Sequence, residues 1–455
     1  MSSIRHYRIL TWLCGIALIV LLAACGSSPT TGNPTPTTPA TASTPGATAT
    51  LSGGHPPVFT PTAGTTAPEP PTLTSCPAGG TARAAVLAHL ALGNHPNIVY
   101  TYNQYQGATP TPSFATLRRY DVTTGATTSI VKLPGNISYA QISADGQWIL
   151  FVSTTSFTSG TQKLQLVRMD GQGLQTLYCS STPNYSIQTP QWSTNQKYIV
   201  FASSGNQMQV VYLLDTTSGK LQSELTATFA NSGGVTIRTW LDNTRIYLTN
   251  TQIDQPPNKV YILDISKGAN QNINNLPVVV NQTFGDFDSS YNGSQLFVDY
   301  GLCGQGGCYP PGRIVVKPAS GGTETTILNS PKYDTTGVRS ITASTLLVEI
   351  SNSAVFGQQV DMSHNGLWKM NADGTGLTGL YIDQSHESSN LNSFSQYPWS
   401  NVSRDDTMYA LQVINTQGKT PAFALRVGSL NGGPITTFAS SADGSDLSVA
   451  GWTTM

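Results

Sequence analysis

Cys76, Cys179, Cys303 and Cys308 are the thiols in the body of this chain, and an even set of thiols in an oxidising compartment forms disulfides. Three pairings are open on count alone. Cys303 and Cys308 lie in the glycine-rich run Gly301-Leu302-Cys303-Gly304-Gln305-Gly306-Gly307-Cys308, which is flexible enough to close on itself and so leaves Cys76 for Cys179. Zinc on the same loop is the alternative, but no histidine adjoins it and a tetrahedral site takes four ligands. His364 and the pair His386-Glu387 supply two imidazoles and a carboxylate that could bind a ligand or a metal at one rim of the fold; lacking an i, i+4 helical spacing, they read equally as polar loop residues. Asp254, Asp286, Asp288, Asp299, Asp334 and Asp361 carry the hard oxygens that calcium takes, and as single aspartates they are also ordinary turn formers. Tyr105, Tyr185, Tyr309, Tyr333 and Tyr397 suit a sugar or peptide platform, or a channel plug. No Gly-x-Ser-x-Gly elbow sits between a strand and a helix, and there is no dinucleotide fingerprint or haem-attachment motif. No catalytic residue and no cofactor is assigned, with calcium kept as a candidate.

Cys25 belongs to different chemistry. It ends the run Leu22-Ala23-Ala24-Cys25, which follows a basic start (Arg5, His6, Arg8) and an apolar segment from Ile9 to Leu22. That is the layout of a secretory signal, too short for a bilayer span. The four residues resemble a bacterial lipobox. The resemblance implies lipidation of Cys25 on sulfur, cleavage just before it and acylation of the new amino terminus. Residues 1–24 are then a lipoprotein signal peptide that also removes Cys14, and the protein is expected in the cell envelope, lipid-anchored on the extracytoplasmic face of a bacterial membrane.

Residues 25–75 hold the lipidated cysteine and a stretch of Thr, Pro, Ala, Gly and Ser with almost no large apolar side chain, which cannot offset its own ordering entropy. This disordered linker spans about 40 Å as a coil or about 150 Å as polyproline II. Charged residues make up only 10% of the chain and the formal net charge is -1, so no basic footprint for nucleic acid exists.

What positions the candidate residues is a repeat running through 76–455. Its turn-and-strand core reads Ser143-Ala144-Asp145-Gly146-Gln147-Trp148-Ile149-Leu150-Phe151-Val152 and returns at Ser193 to Ala202, Leu241 to Leu248, Tyr291 to Val298, Ala343 to Val348 and Arg404 to Leu411. A downstream hairpin recurs at Tyr120-Asp121, Met169-Asp170, Leu214-Asp215, Leu263-Asp264, Lys317-Pro318, Met370-Asn371 and Ser429-Leu430, each followed by a glycine-containing turn. Seven hairpins at this spacing predict a seven-bladed all-β propeller of four-stranded blades. The first unit lacks an innermost strand, while Asp446 to Thr453 is a strand without a unit. The C-terminal strand is therefore expected to close the first blade, pairing Leu447 to Thr453 beside Asn97 to Tyr102 and removing an open edge. Alanine-rich Thr81 to Leu92 is either a short helix or an edge segment packed on the ring.

The turn-and-strand copies resemble the repeat of TolB-type propellers, in which a Trp or similar residue precedes Ser-Pro-Asp-Gly, an apolar strand and a second strand ending in Asp-Gly. The proline is replaced throughout, and the resemblance covers roughly residues 95 to 455. It implies a fold that hosts binding scaffolds, hydrolases and oxidoreductases alike. With no catalytic constellation evident, the expectation is a scaffold that binds a peptide, glycan or protein at the cell surface, held to the membrane by its lipid. The alternative is an extracytoplasmic hydrolase or lyase using loop carboxylates and a channel metal. The longest insertions, Phe356 to Gly366 and Asp383 to Tyr397, bring His364, His386, Glu387 and Tyr397 to one rim as candidate binding residues.

Overall fold

The computed structural model describes residues 69–455 except 106–111, 156–159, 182–184, 206–207, 229–233, 251–255, 302, 305–306, 309–310, 355–360 and 392–399, with backbone alone at 228, 303–304, 307–308 and 353–354. The signal segment, Cys25 and nearly all of the linker lie outside the described residues.

Seven four-stranded antiparallel sheets form the blades of a propeller. Blade 1 joins Pro96–Gln104, Phe114–Asp121 and Thr127–Pro134 to the C-terminal strand Asp446–Thr454, which is innermost. Blades 2 to 7 start from the inner strands Asn136–Ile142, Ser186–Trp192, Val235–Trp240, Asp286–Ser289, Thr335–Ser340 and Glu387–Asn390, and each adds three strands outward. The closing register sets Asn97 opposite Thr453 and Tyr102 opposite Leu447, as the sequence predicts. Trp192, Trp240 and Trp452, which share one position in the repeat, are all buried.

The repeated serine has a definite task. Ser143 Oγ accepts a hydrogen bond from Trp148 N at 3.0 Å, and its own hydroxyl donates to Asp145 Oδ1 at 2.5 Å. Ser193, Ser290 and Ser403 take the amides of Tyr198, Gln295 and Met408 in the same way, each at 2.9 Å. An amide that would otherwise be orphaned at the head of the second strand is thus satisfied locally, which explains Ser and Asp or Asn at this spacing. The second strand of blade 2, Trp148–Thr154, is buried along its whole length, whereas the outer strand Thr325–Ser330 is mostly exposed or half-buried.

Turns joining first to second and third to fourth strands lie on one rim, the turn rim; the remaining connections form the opposite loop rim. In blade 1 the inner strand comes from the C-terminus, so no peptide turn links it to Pro96–Gln104. His95 and Met455 instead exchange backbone hydrogen bonds of 3.1 and 3.0 Å. Arg404, from the turn of blade 7, ties the closing strand to the turn of blade 2: Nη1 and Nη2 donate to Ala144 O and Ser143 O at 2.7 and 3.1 Å, and Nε donates to Trp452 O at 3.1 Å.

Thr81 to Leu92 contains no helix. The chain from 69 to 95 is an extended strap laid over blades 2 and 3, the second of the two expected outcomes. Its amides are met by the ring: Arg83 N donates to Leu177 O at 2.8 Å and Ala85 N to Thr216 O at 2.7 Å. The Arg83 guanidinium gathers the carbonyls of Leu73, Ser75 and Thr176 at 2.8 to 3.1 Å. A disulfide between Cys76 and Cys179, with Cα atoms 5.7 Å apart, fastens the strap to the outer strand Gln175–Cys179.

Candidate functional site

The loop rim over blades 5 to 7 holds most of the candidate residues. His364 lies between Tyr333 and Trp368 in a three-ring stack, with centroid separations of 5.4 and 5.5 Å and interplanar angles of 26° and 18°. Trp368 Nε1 donates to His364 O at 2.7 Å, and Ser363 Oγ is 3.0 Å from His364 Nδ1. Gly379 lies against this stack, where a β-carbon would meet Ile382 Cδ1 at 3.3 Å and Trp368 Cη2 at 3.6 Å. Ile382 and the neighbouring Met362 are 38% and 49% exposed, which leaves an apolar and aromatic patch on this rim.

His386 is exposed with a positive φ of 64°, and its carbonyl accepts from Thr416 N at 3.0 Å. Glu387 follows it in sequence but turns elsewhere. Its carboxylate takes Arg426 Nη2 at 3.0 Å, the Tyr381 hydroxyl at 2.5 Å and Gln384 N at 3.1 Å. This network ties the outer strand of blade 6 to blade 7. Tyr397 lies outside the described residues, within 392–399. Asp383 to His386 is simply the short crossover into blade 7.

Of the acidic residues, Asp254 lies outside the described residues. Asp286 is buried between Arg238 of blade 4 and Arg339 of blade 6, the latter at 2.5 Å. Burial pushes its carboxyl up, but the two guanidinium groups more than offset this and hold it below the usual range. Burial raises Asp288 to about 6 against the pull of Arg339. Asp299 and Asp334 are fully buried on either side of Thr335: Thr335 Oγ1 donates to Asp299 Oδ1 at 2.5 Å and Thr335 N to Asp334 Oδ1 at 3.0 Å. Asp361 is exposed and caps Ser363 N at 2.9 Å. Among the described residues no group of three or more His, Cys, Asp or Glu side chains is placed to hold a metal ion.

The side chains of Cys303 and Cys308 lie outside the described residues. Their backbones face each other in a hairpin, Cys303 opposite Cys308 and Gly304 opposite Gly307. This hairpin pairs with Ser353–Ala354, joining blades 5 and 6 in a small three-stranded sheet on the loop rim. Sequence reasoning passed over Trp368 and Ile382. The signal was a tryptophan facing a strand glycine, Trp368 opposite Gly379, and it requires the register to be seen.

No protein-family model matches the chain, and no curated protein matches it. Solved structures do. The chain is similar to TolB from Acinetobacter baumannii, at 14% identity over 61% of this chain and 62% of that one, with a TM-score of 0.40. It is similar to a putative TolB from Agrobacterium tumefaciens, at 15% identity over 69% and 96% of the two chains, with a TM-score of 0.39. The β-propeller domain of the Trilobed protease from Pyrococcus furiosus matches at 9% identity over 79% and 98%, with a TM-score of 0.49. The chain thus spans less than two thirds of the Acinetobacter protein. Blade number and ring closure rest on this chain's own strand pairing.

Proposed function

We propose that the protein is a cell-envelope lipoprotein whose propeller is a binding scaffold, tethered through Cys25 and the linker, with the loop rim over blades 5 to 7 as its recognition surface. The observation that carries the reading is the Tyr333–His364–Trp368 stack with Ile382 and Met362 exposed beside it. His364 and Trp368 are half-buried and pre-stacked on buried Tyr333, so their accessible ring surface has little side-chain entropy left to lose, which suits a peptide, a glycan or a partner protein. Of the carboxylates on which an enzyme reading would draw, Asp286 is engaged by two arginines and Glu387 by Arg426 and Tyr381.

Two measurements test this. Expressed in a lipoprotein-processing host, the chain should fractionate with membranes, and Cys25→Ser should release it. Purified protein should co-sediment with isolated cell-wall polymer or cross-link to envelope protein, and the Trp368→Ala, Ile382→Ser pair should lose that association while remaining folded at the temperature of the assay. Retention in the double variant, or metal-dependent turnover of hydrolase substrates by the parent, would overturn the reading.

A further inference from the structure

Six of the seven blade junctions share one device among the described residues. A side-chain carboxamide or carboxyl group of one blade bonds to the inner strand of the next, at its first or second residue in five cases and, for Glu349, at Leu391 just past the end of Glu387–Asn390. Asn103 accepts from Ile137 N and donates to Ile137 O, both at 3.0 Å. Gln209 treats Val235 alike, at 2.6 and 2.7 Å. Gln162 accepts from Ile187 N at 2.6 Å, and Gln412 donates to Leu447 O. At the last two junctions the amide is replaced by an acid. Asp299 Oδ1 takes Thr335 Oγ1 of blade 6 at 2.5 Å and its own blade's Gly301 N at 2.8 Å, and Glu349 Oε1 takes Leu391 N of blade 7.

A carboxamide presents one acceptor and one donor. A carboxylate presents acceptors only and carries a charge, whereas a protonated carboxyl group is uncharged like the carboxamide. Asp299 Oδ2 is fully buried and receives no hydrogen bond from the described residues, which is costly for an ionised oxygen. Glu349 Oε2 lies over Gly337, 2.6 Å from where a β-carbon would sit, and Asp286 Oδ2 lies 3.5 Å from the same point. The charged and titratable groups facing the two acids are Asp286, Asp334 and Asp383 with Arg339, and behind them Asp288 and Arg238. Carboxyl groups outnumber guanidinium groups here, and both arginines are already bonded to Asp286.

We infer that Asp299 and Glu349 are neutral carboxylic acids standing in for the carboxamides of the other junctions, so that blades 5, 6 and 7 are latched to one another in full only while both keep their protons. The direction of titration agrees: burial raises Glu349 to about 8 against Arg339, and raises Asp299 well above the carboxylate range against its bonds from Thr335 and Gly301. Each acid is harder to ionise folded than unfolded. Its contribution is therefore complete below the ordinary carboxylate range and is lost progressively as pH rises toward the folded value.

Asp299→Asn and Glu349→Gln install the amide permanently. Thermal unfolding of the full chain should be unchanged by either substitution at pH 4.5, and each variant should exceed the parent increasingly with pH, by about 4 °C near pH 8. Variants whose profile runs parallel to the parent's from pH 4.5 to 9 would overturn the inference. A second measurement stands whether or not the variants fold. In the carbon-13 spectrum of the parent, the Glu349 carboxyl should titrate near neutrality or above, and titration near pH 4 would refute the latch.

Discussion

Arg404→Ala removes a side chain that ties the closing strand of blade 1 to the turn of blade 2. Three backbone carbonyls lose a charged donor: Ser143 and Ala144 of blade 2, and Trp452 of the closing strand. The site is half-buried at the rim, so water recovers part of the loss. Taking about 1 kcal/mol for each bond gives a destabilisation of about 3 kcal/mol. With an unfolding entropy of about 2.1 cal/mol/K per residue over the roughly 360 residues from Pro96 to Met455, that corresponds to a fall in Tm of about 4 °C. The damage should be local before it is global. Amide exchange should quicken first along Asp446–Thr454 and at His95, because those residues hold the ring shut without a peptide turn. Arg404→Lys, which can reach only one carbonyl well, should recover about a third of the loss. Calorimetry with residue-resolved exchange decides it. A variant within 1 °C of the parent, with unchanged exchange in the closing strand, would show that strand pairing alone closes the ring.

Ending the chain after Ser445 strips blade 1 of its inner strand and of buried Leu447, Val449 and Trp452, so the product should aggregate on size-exclusion chromatography. The Cys76–Cys179 bridge spans 103 residues, and Cys179→Ser should cost up to about 4.7 kcal/mol in denaturant titration on the chain-entropy estimate. Non-reduced peptide mapping should find that bridge, and should find Cys303 joined to Cys308, whose backbones lie opposite one another. Glu387→Ala should destabilise by about 3 kcal/mol in the same titration, because it leaves Arg426 without its ion-pair partner.

The repeat was legible because its signals are local. Ser143 bonds to Trp148 five residues on, and Trp192 and Trp240 announce the same place in successive units. The orphan strand at the C-terminus needed only the count. What escaped the sequence depends on partners far apart in it. Arg404 reads as an ordinary turn residue until Ser143 and Ala144, about 260 positions earlier, are brought beneath it. Glu387 resembles a site residue next to His386 until Arg426 is seen to hold it. The strap deceives for a related reason: alanines favour a helix, but the free edge of blade 2 and the turn of blade 3 offer carbonyls to Arg83 N and Ala85 N, and the ring's contacts prevail over propensity.

The asymmetry of the ring also bears on where a partner would sit. Partly exposed residues on the inner strands of blades 1 to 3 include Ser448, Ser138 and Gln188, which are uncharged, whereas the inner strands of blades 4 to 6 carry Arg238, Asp286, Asp288 and Arg339. Those charges are spent on one another: Asp286 takes both arginines, and Asp288 is bonded by Ser340 N at 2.9 Å. A ligand on the axis would meet hydroxyls and amides together with the Asp446 carboxylate on one side and compensated charge on the other. The loop rim, by contrast, offers exposed Ile382 and Met362 with the half-buried rings of His364 and Trp368. Recognition there is dominated by apolar contact, which salt does not screen. Association with the partner should therefore change less than about threefold between 50 and 500 mM salt. A tenfold weakening over that range, insensitive to Trp368→Ala, would move the binding surface from the rim to the charged inner strands.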